Sequence, residues 1–286
     1  MRTWDLVCKL TKPFYGTGIG RLPGVENLYL SVYRKWGMSK NPVLKFQDLE
    51  FELDPTSALT PPILTHGNWE PDETELFIKE VHEGMTVVDV GAGFGYYSCI
   101  ASKLVGRRGR VYAIEPFPKA YNLLCRNIAK NSLTNIVPLR VAAWDSEGTI
   151  EFHATKTQSG ISPIPHKSDV VLPVARLDTF ITEEKVDLIK IDTDGHDSRV
   201  LGGMKRIIKD SLDLKLFIEV YPKGLVLAGS SDKALVSFLE EHFTLAIIDE
   251  KIHGLRQLGN QAYKEVSKAT RLKGAVDLFC TRRLSE

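Results

Sequence analysis

The chain has 286 residues, 43% of them hydrophobic, a length that suits one large domain or a domain with an appendage and leaves room for a sizeable core. Its 37 basic and 36 acidic residues are interspersed for a formal net charge of +1, which excludes a field that would draw it to nucleic acid or to an anionic membrane. Four dispersed cysteines with no C-x-x-C pair, and no apolar run of signal-peptide or membrane-spanning length, fit reduced thiols in a cytoplasmic protein without integral membrane association.

Residues 1–24, with Pro13, Gly16, Gly18, Gly20 and Pro23, read as irregular. Over 25–36 the apolar Val25, Leu28, Tyr29, Val32 and Trp36 recur at helical spacing, the pattern of a helix docked on the domain. Residues 43–46 and 49–53 alternate as short strands, and the proline-rich 54–62 ends them. This divides the chain into an appendage over 1–65, made of a helix and short strands, and a main domain over 66–286. A helix over 71–81, with Asp72, Glu73 and Glu75 in its first turn and Gly84 beyond its end, leads into a first core strand over 87–90.

Further on come a helix through Leu104, a strand over 111–114, a helix over 118–131 and a strand over 136–142. Residues 149–154 and 170–175 read as strands joined by a long loop, 155–169, which is either a substrate lid or an idle surface loop. A strand over 186–192, a helix over 198–209, a strand over 214–221, a helix over 232–242 and closing strands over 244–248 and 275–280 complete the series. The basic-leaning 264–273 reads as a solvated connection. Strands alternating with helices indicate an α/β class with a parallel sheet covered on both faces.

Between the first core strand and its helix stand Gly91, Gly93 and Gly95, where a backbone turns sharply and a ligand can lie against it. The dinucleotide fingerprint needs a third glycine where this chain has Tyr96, so a ligand with an ammonium and no phosphate, such as S-adenosylmethionine, fits better. Asp89 lies within the strand, and Glu115, closing the next strand, is placed to accept hydrogen bonds from both hydroxyls of a ribose. With this first strand central, the strands ending at Asp192 and Glu219 lie beside it in turn, and all three acids face one crevice at the carboxyl edge of the sheet. Lys190, charged within an apolar strand, is hard to explain by packing. His196, at the start of a helix, is the candidate general base, the alternative being a capping or core histidine.

At these residues the sequence resembles the FkbM family of S-adenosylmethionine-dependent methyltransferases. The resemblance rests on Val-Asp-Val-Gly-Ala-Gly-Phe-Gly-Tyr-Tyr-Ser from Val88, Glu115-Pro116, Leu177-Asp178, and Ile-Lys-Ile-Asp-Thr-Asp-Gly-His-Asp from Ile189, followed by Val200-Leu201 and Gly203. It spans about 70–280; the family pattern has valine where this chain has Thr193, and glutamates where it has the shorter Asp194 and Asp197. What the resemblance implies is a Rossmann-like class I methyltransferase sheet, mostly parallel and of seven strands, in the main domain. It implies cofactor contacts from Asp89, Gly91, Ala92, Gly93, Gly95, Tyr96, Glu115, Pro116 and Ala143, and O-methylation of a small molecule, sugar or glycan. Asp192 then positions the acceptor hydroxyl, and His196 or Asp194 takes its proton.

A variant gathers a divalent metal on Asp192, Asp194, His196 and Glu219, but nothing in the spacing demands one and no metal is expected. The competing readings are an NAD-dependent oxidoreductase and a non-catalytic S-adenosylmethionine-binding module. The sequence leaves open the acceptor's identity and any homo-oligomer.

Overall fold

A computed structural model describes residues 41–57, 59–153, 169–259 and 261–283. The segments over 1–24 and 25–36, and the loop over 155–168, lie outside the described residues. The described residues open with a hairpin of β1 (Val43–Phe46) and β2 (Leu49–Glu52), then α1 (Thr60–His66) and α2 (Pro71–Glu80). The core follows as β3 (Thr86–Val90), α3 (Tyr96–Val105), β4 (Arg110–Ile114), α4 (Pro118–Lys130) and β5 (Ile136–Leu139). Next come β6 (Ala142–Ala143), β7 (Gly148–His153), β8 (Asp169–Ala175), α5 (Leu177–Phe180), β9 (Leu188–Ile191), α6 (Asp197–Gly202) and α7 (Lys205–Asp210). The last part holds β10 (Lys215–Val220), α8 (Pro222–Leu227), α9 (Asp232–His242), β11 (Phe243–Asp249), β12 (Gly254–Gln257), α10 (Ala262–Lys273) and β13 (Val276–Arg282).

The large sheet runs β12-β11-β13-β10-β9-β3-β4-β5. Its strands from β10 to β5 are parallel, and β13 inserts antiparallel between β10 and β11. The seven expected strands are therefore present, and the short β12 adds an antiparallel edge. Side chains alternate across the sheet because a strand has a period of two. Val88, Val90, Ile189 and Ile191 join the core that packs α6, α7 and α9. Val87, Val111, Leu188 and Phe217 join the opposite core, with Phe77 of α2, Ile100 of α3 and Leu124 of α4. Burial on both faces explains why these strands read as near-continuous apolar runs. A second, three-stranded sheet runs β6-β8-β7. Among the described residues no helix is long and apolar enough to cross a membrane.

The hairpin is fixed to the domain by two asparagines one helical turn apart, Asn127 in α4 and Asn131 at its C-cap. Asn131 accepts from the amide of Glu50 (2.9 Å) and donates to its carbonyl (2.8 Å). Asn127 does the same for Glu52 (2.7 and 3.1 Å) and also donates to the carbonyl of Phe94 in the glycine turn (2.7 Å). The two side chains thus pair with alternate residues of β2 as a neighbouring strand would. Asn127 is fully buried. An Asn127→Leu variant leaves one buried donor and two acceptors unmet, so we expect about 3 kcal/mol of lost stability, read as a lower urea midpoint.

Three sequence expectations are corrected. The strand over 136–142 is two strands in different sheets: β5 is an edge strand, as its Pro138 requires, and the chain then crosses to pair β6 with β8. The helix over 198–209 breaks at Gly203, where a Cβ would stand 1.9 Å from the carbonyl oxygen of Trp144. Asp178 of α5 then caps the second piece, accepting from the amides of Arg206 (2.8 Å) and Ile207 (3.0 Å). The stretch over 264–273 lies within α10, whose buried Ala262, Val266 and Thr270 recur every four residues beneath a charged exterior. The proline-rich 54–62 does end the strands, since β2 stops at Glu52, and it runs into α1 with proline in the first turn, where a missing N–H is harmless.

Candidate active site

At the tip of β3 the backbone doubles back, and the amides of Gly91 and Ala92 both donate to the carbonyl of Ile114 (2.9 and 3.0 Å). Gly91 has φ +86°, and a Cβ there would lie 1.9 Å from the carbonyl oxygen of Asp192, so only glycine lets β3 and β9 release their loops this close together. Gly95, at the N-cap of α3, has φ +89° and lies against Leu124. Gly93 donates its amide to Glu115 Oε2 (2.9 Å), and Phe117 donates to Glu115 Oε1 (2.8 Å). Burial pushes the Glu115 carboxyl up to about 8 despite those two amides. Asp89, also buried, accepts from Ser98 Oγ (2.5 Å) and is pushed up to about 6.

A cavity of about 930 Å3 opens over this turn. Of the sequence-predicted residues, Asp89, Gly91, Ala92, Gly93, Tyr96, Glu115, Pro116, Ala143, Asp192, Asp194 and His196 line it, and Gly95 does not. The ring of Tyr96 is chiefly a packing element, with centroids 5.5 Å from Phe46, 5.4 Å from Phe51 and 6.0 Å from Phe94. Sequence reasoning missed Glu70, Tyr97, Phe117 and Trp144, and the outer wall from Glu52 to Ile63, all of which line the same cavity.

The β9 to α6 loop is held by its own residues. Asp194 has φ +52° and Gly195 φ +105°, and a Cβ on Gly195 would fall 2.2 Å from the backbone of Gly224 in α8. Asp197, fully buried, accepts from the Thr193 amide (3.3 Å), Thr193 Oγ1 (3.0 Å) and the Gly195 amide (3.1 Å). Burial pushes its carboxyl up to about 7. The shorter aspartate at this position closes back on its own loop.

His196 is 8% exposed, its ring centroid 5.2 Å from both Trp144 and Phe152. Neither ring nitrogen has a hydrogen-bond partner among the described residues. Burial, helped by the Arg199 cation, pushes the imidazole down to about 4, so it is neutral at physiological pH.

Lys190 is equally buried. Its Nζ stands 3.0 Å from Glu73 Oε1, 3.6 Å from Asp192 Oδ2 and 3.9 Å from Glu70 Oε2, with the Tyr97 ring centroid at 4.5 Å. Its burial is thus explained by ion pairing with α2 across the sheet face that period two assigns to it. Glu219 also lines the cavity, pushed up to about 10 by burial and by the neighbouring Asp192 and Asp277. Among the described residues no three His, Cys, Asp or Glu side chains are grouped to hold a metal ion.

The turn also discriminates between nucleotides. The amides of Gly91, Ala92, Gly93 and Gly95 are all engaged within the protein, and Asp89 and Glu115 flank the turn with carboxyl groups. A pyrophosphate needs free amides and no adjacent acids. A nucleoside bearing a sulfonium and an ammonium is compatible with flanking carboxyl groups, and Glu115 retains lone pairs for ribose hydroxyls.

Comparison with known proteins agrees with this choice. The family described as the methyltransferase FkbM domain matches residues 89–243. The hexuronic acid methyltransferase AglP of Haloferax volcanii is 26% identical over 144 residues, 49% of this chain and 58% of that protein. The tRNA(Phe) (4-demethylwyosine(37)-C(7)) aminocarboxypropyltransferase of Methanocaldococcus jannaschii is 34% identical over 131 residues, 46% of this chain and 47% of that protein. The chain thus spans about half the length of these curated relatives. A solved SAM-dependent methyltransferase from Aquifex aeolicus is 19% identical, with 73% of this chain and 88% of that chain covered and a TM-score of 0.42. With the family match covering more than half of its residues, from the Asp89 strand to the start of β11, the chain belongs to the FkbM family of S-adenosylmethionine-dependent methyltransferases.

Proposed function

We propose that this chain methylates a hydroxyl group of a small molecule, sugar or glycan. The observation that carries the reading is His196, a buried, neutral imidazole lining the cavity with two unpartnered nitrogens. Burial makes this imidazole a weak base, but the hydroxyl proton becomes strongly acidic as the oxygen is alkylated, so a neutral ring without another partner can still accept it. When bound, S-adenosylmethionine supplies an activated methyl on a sulfonium, so the protein's task is alignment and proton removal.

Glu115 accepts from the ribose hydroxyls, and the Gly91 to Gly95 turn supports the nucleoside from below. Asp192, on the loop that Gly91 touches, accepts from the acceptor hydroxyl and turns its lone pair toward the methyl. His196 then takes the proton, Trp144 and Phe152 holding its ring in place. The carboxyl groups of Asp192 and Asp194 line the same cavity, an arrangement that favours a neutral hydroxyl over a carboxylate as the methylated centre. The relative named as a hexuronic acid methyltransferase supports a sugar as acceptor. We assign acceptor selection to the wall from Glu52 to Ile63, which belongs to the proposed appendage over 1–65 and lies before the family match.

The test is transfer of label from methyl-labelled S-adenosylmethionine into a metabolite extract. We expect S-adenosylhomocysteine as co-product and a labelled product stable to mild base, as a methyl ether is. Formation of 5′-methylthioadenosine would indicate transfer of the aminocarboxypropyl group, and a base-labile label would indicate an ester; either result removes the hydroxyl reading. No transfer at all would support the non-catalytic module.

A further inference from the structure

The proton-transfer scheme leaves Glu70, Glu73, Tyr97 and Lys190 without a role. We propose that Glu70 takes the α-ammonium of the cofactor's methionine end, with Tyr97 and Lys190 fixing its carboxylate. This rests on the reading that S-adenosylmethionine occupies the cavity.

Glu70 stands at the N-cap of α2, yet its side chain makes no capping hydrogen bond. Its backbone has φ +44°, a left-handed conformation that a non-glycine residue adopts at a cost and that concentrates at ligand sites. The carboxylate instead accepts from Tyr97 Oη (3.0 Å) and lines the cavity. Other acids nearby are engaged: Asp89 by Ser98, Glu115 by two amides, and Glu73 by Lys190. The Glu70 side chain keeps 28% of its surface exposed, against 3% for Glu73.

Charge points the same way. Three carboxylates, of Glu70, Glu73 and Asp192, lie within 4 Å of a single ammonium, that of Lys190. Glu73 Oε2 is in addition buried with no hydrogen-bond partner among the described residues. The cluster holds more carboxyl groups than cations, and an amino-acid ammonium supplies a further cation. Burial, with Glu73, Asp192 and Asp277 adding and Lys190 opposing, pushes the Glu70 carboxyl well above the usual range. A cation arriving beside Glu70 therefore favours its ionised form.

The experiment is titration calorimetry of the full chain with S-adenosylhomocysteine and with 5′-methylthioadenosine, which lacks the amino-acid end. The wild type is expected to bind the former at least roughly tenfold more tightly. Glu70→Gln should remove most of that advantage, leave 5′-methylthioadenosine affinity within about twofold, and reduce the proton release found by comparing buffers of different ionisation enthalpy. Equal weakening of both ligands, or of neither, overturns the proposal. Tyr97→Phe, which frees the Glu70 carboxylate, should weaken S-adenosylhomocysteine alone, and it decides the matter if the Gln variant does not fold. No heat with either ligand in the wild type would instead defeat the cofactor reading itself.

Discussion

Replacing Gly91 by alanine is expected to abolish cofactor binding and to destabilise the fold by about 3 kcal/mol or more. The residue is held at φ +86°, where an L side chain costs roughly 1–2 kcal/mol. The larger effect is steric, because the new methyl would sit 1.9 Å from the Asp192 carbonyl oxygen. That oxygen is backbone, at the end of a strand paired to β3 from Val87 to Val90, and cannot rotate away as a side chain would. Relief requires the tips of β3 and β9 to separate, and those tips carry Asp89 and Asp192. Gly93→Ala is the control. At φ +55° its Cβ would meet only the Gly91 carbonyl, at 3.9 Å, so in fold stability only the backbone preference should be felt. Urea denaturation and calorimetry with S-adenosylhomocysteine separate the two variants; near-native binding by Gly91→Ala would contradict the close approach of the two loops.

The contrast between these glycines and Glu70 shows which parts of the site a sequence displays. Strand, turn and helix from Thr86 to Val105 are contiguous, so the cradle is written in one stretch of sequence, and Asp192 follows from the rule that parallel strands deliver ligand groups at their carboxyl ends. The parallel sheet was legible because strands buried on both faces must be apolar throughout. Lys190 stood out for the same reason, but its partner Glu73 lies 117 positions earlier, and no periodicity links the two. The asparagine pair that fastens β2 is silent for a similar reason: Asn127 and Asn131 read as ordinary helix surface until β2 is laid beside them. Helix α10 was hidden by its composition, three buried positions among a run of charges. The break at Gly203 is set by the approach of Trp144, a tertiary contact that local propensity does not record.

Substitution of His196 by alanine should lower kcat by about 10²–10⁴-fold if the imidazole is the general base. A rate loss alone does not separate a base from a packing residue, since the ring also fills space between Trp144 and Phe152. The acid dependence of stability tests a separate point, that burial keeps the ring neutral. Burial and Arg199 lower the folded-state value from 6.5 to about 4, so the folded protein resists protonation that the unfolded chain accepts. The stabilisation from a neutral His196 is therefore complete above about pH 6.5 and is lost as pH falls toward 4, amounting to about 3 kcal/mol over that window. Asp89, Glu115 and Asp197, with raised values, act in the opposite direction, their contribution being lost as pH rises, and they are common to both proteins. The stability gap between wild type and His196→Ala should accordingly narrow by about 3 kcal/mol between pH 7 and pH 4, measured by urea titration at each pH. A gap that stays constant would mean that His196 titrates as a solvated imidazole, which would contradict the burial of its ring between Trp144 and Phe152.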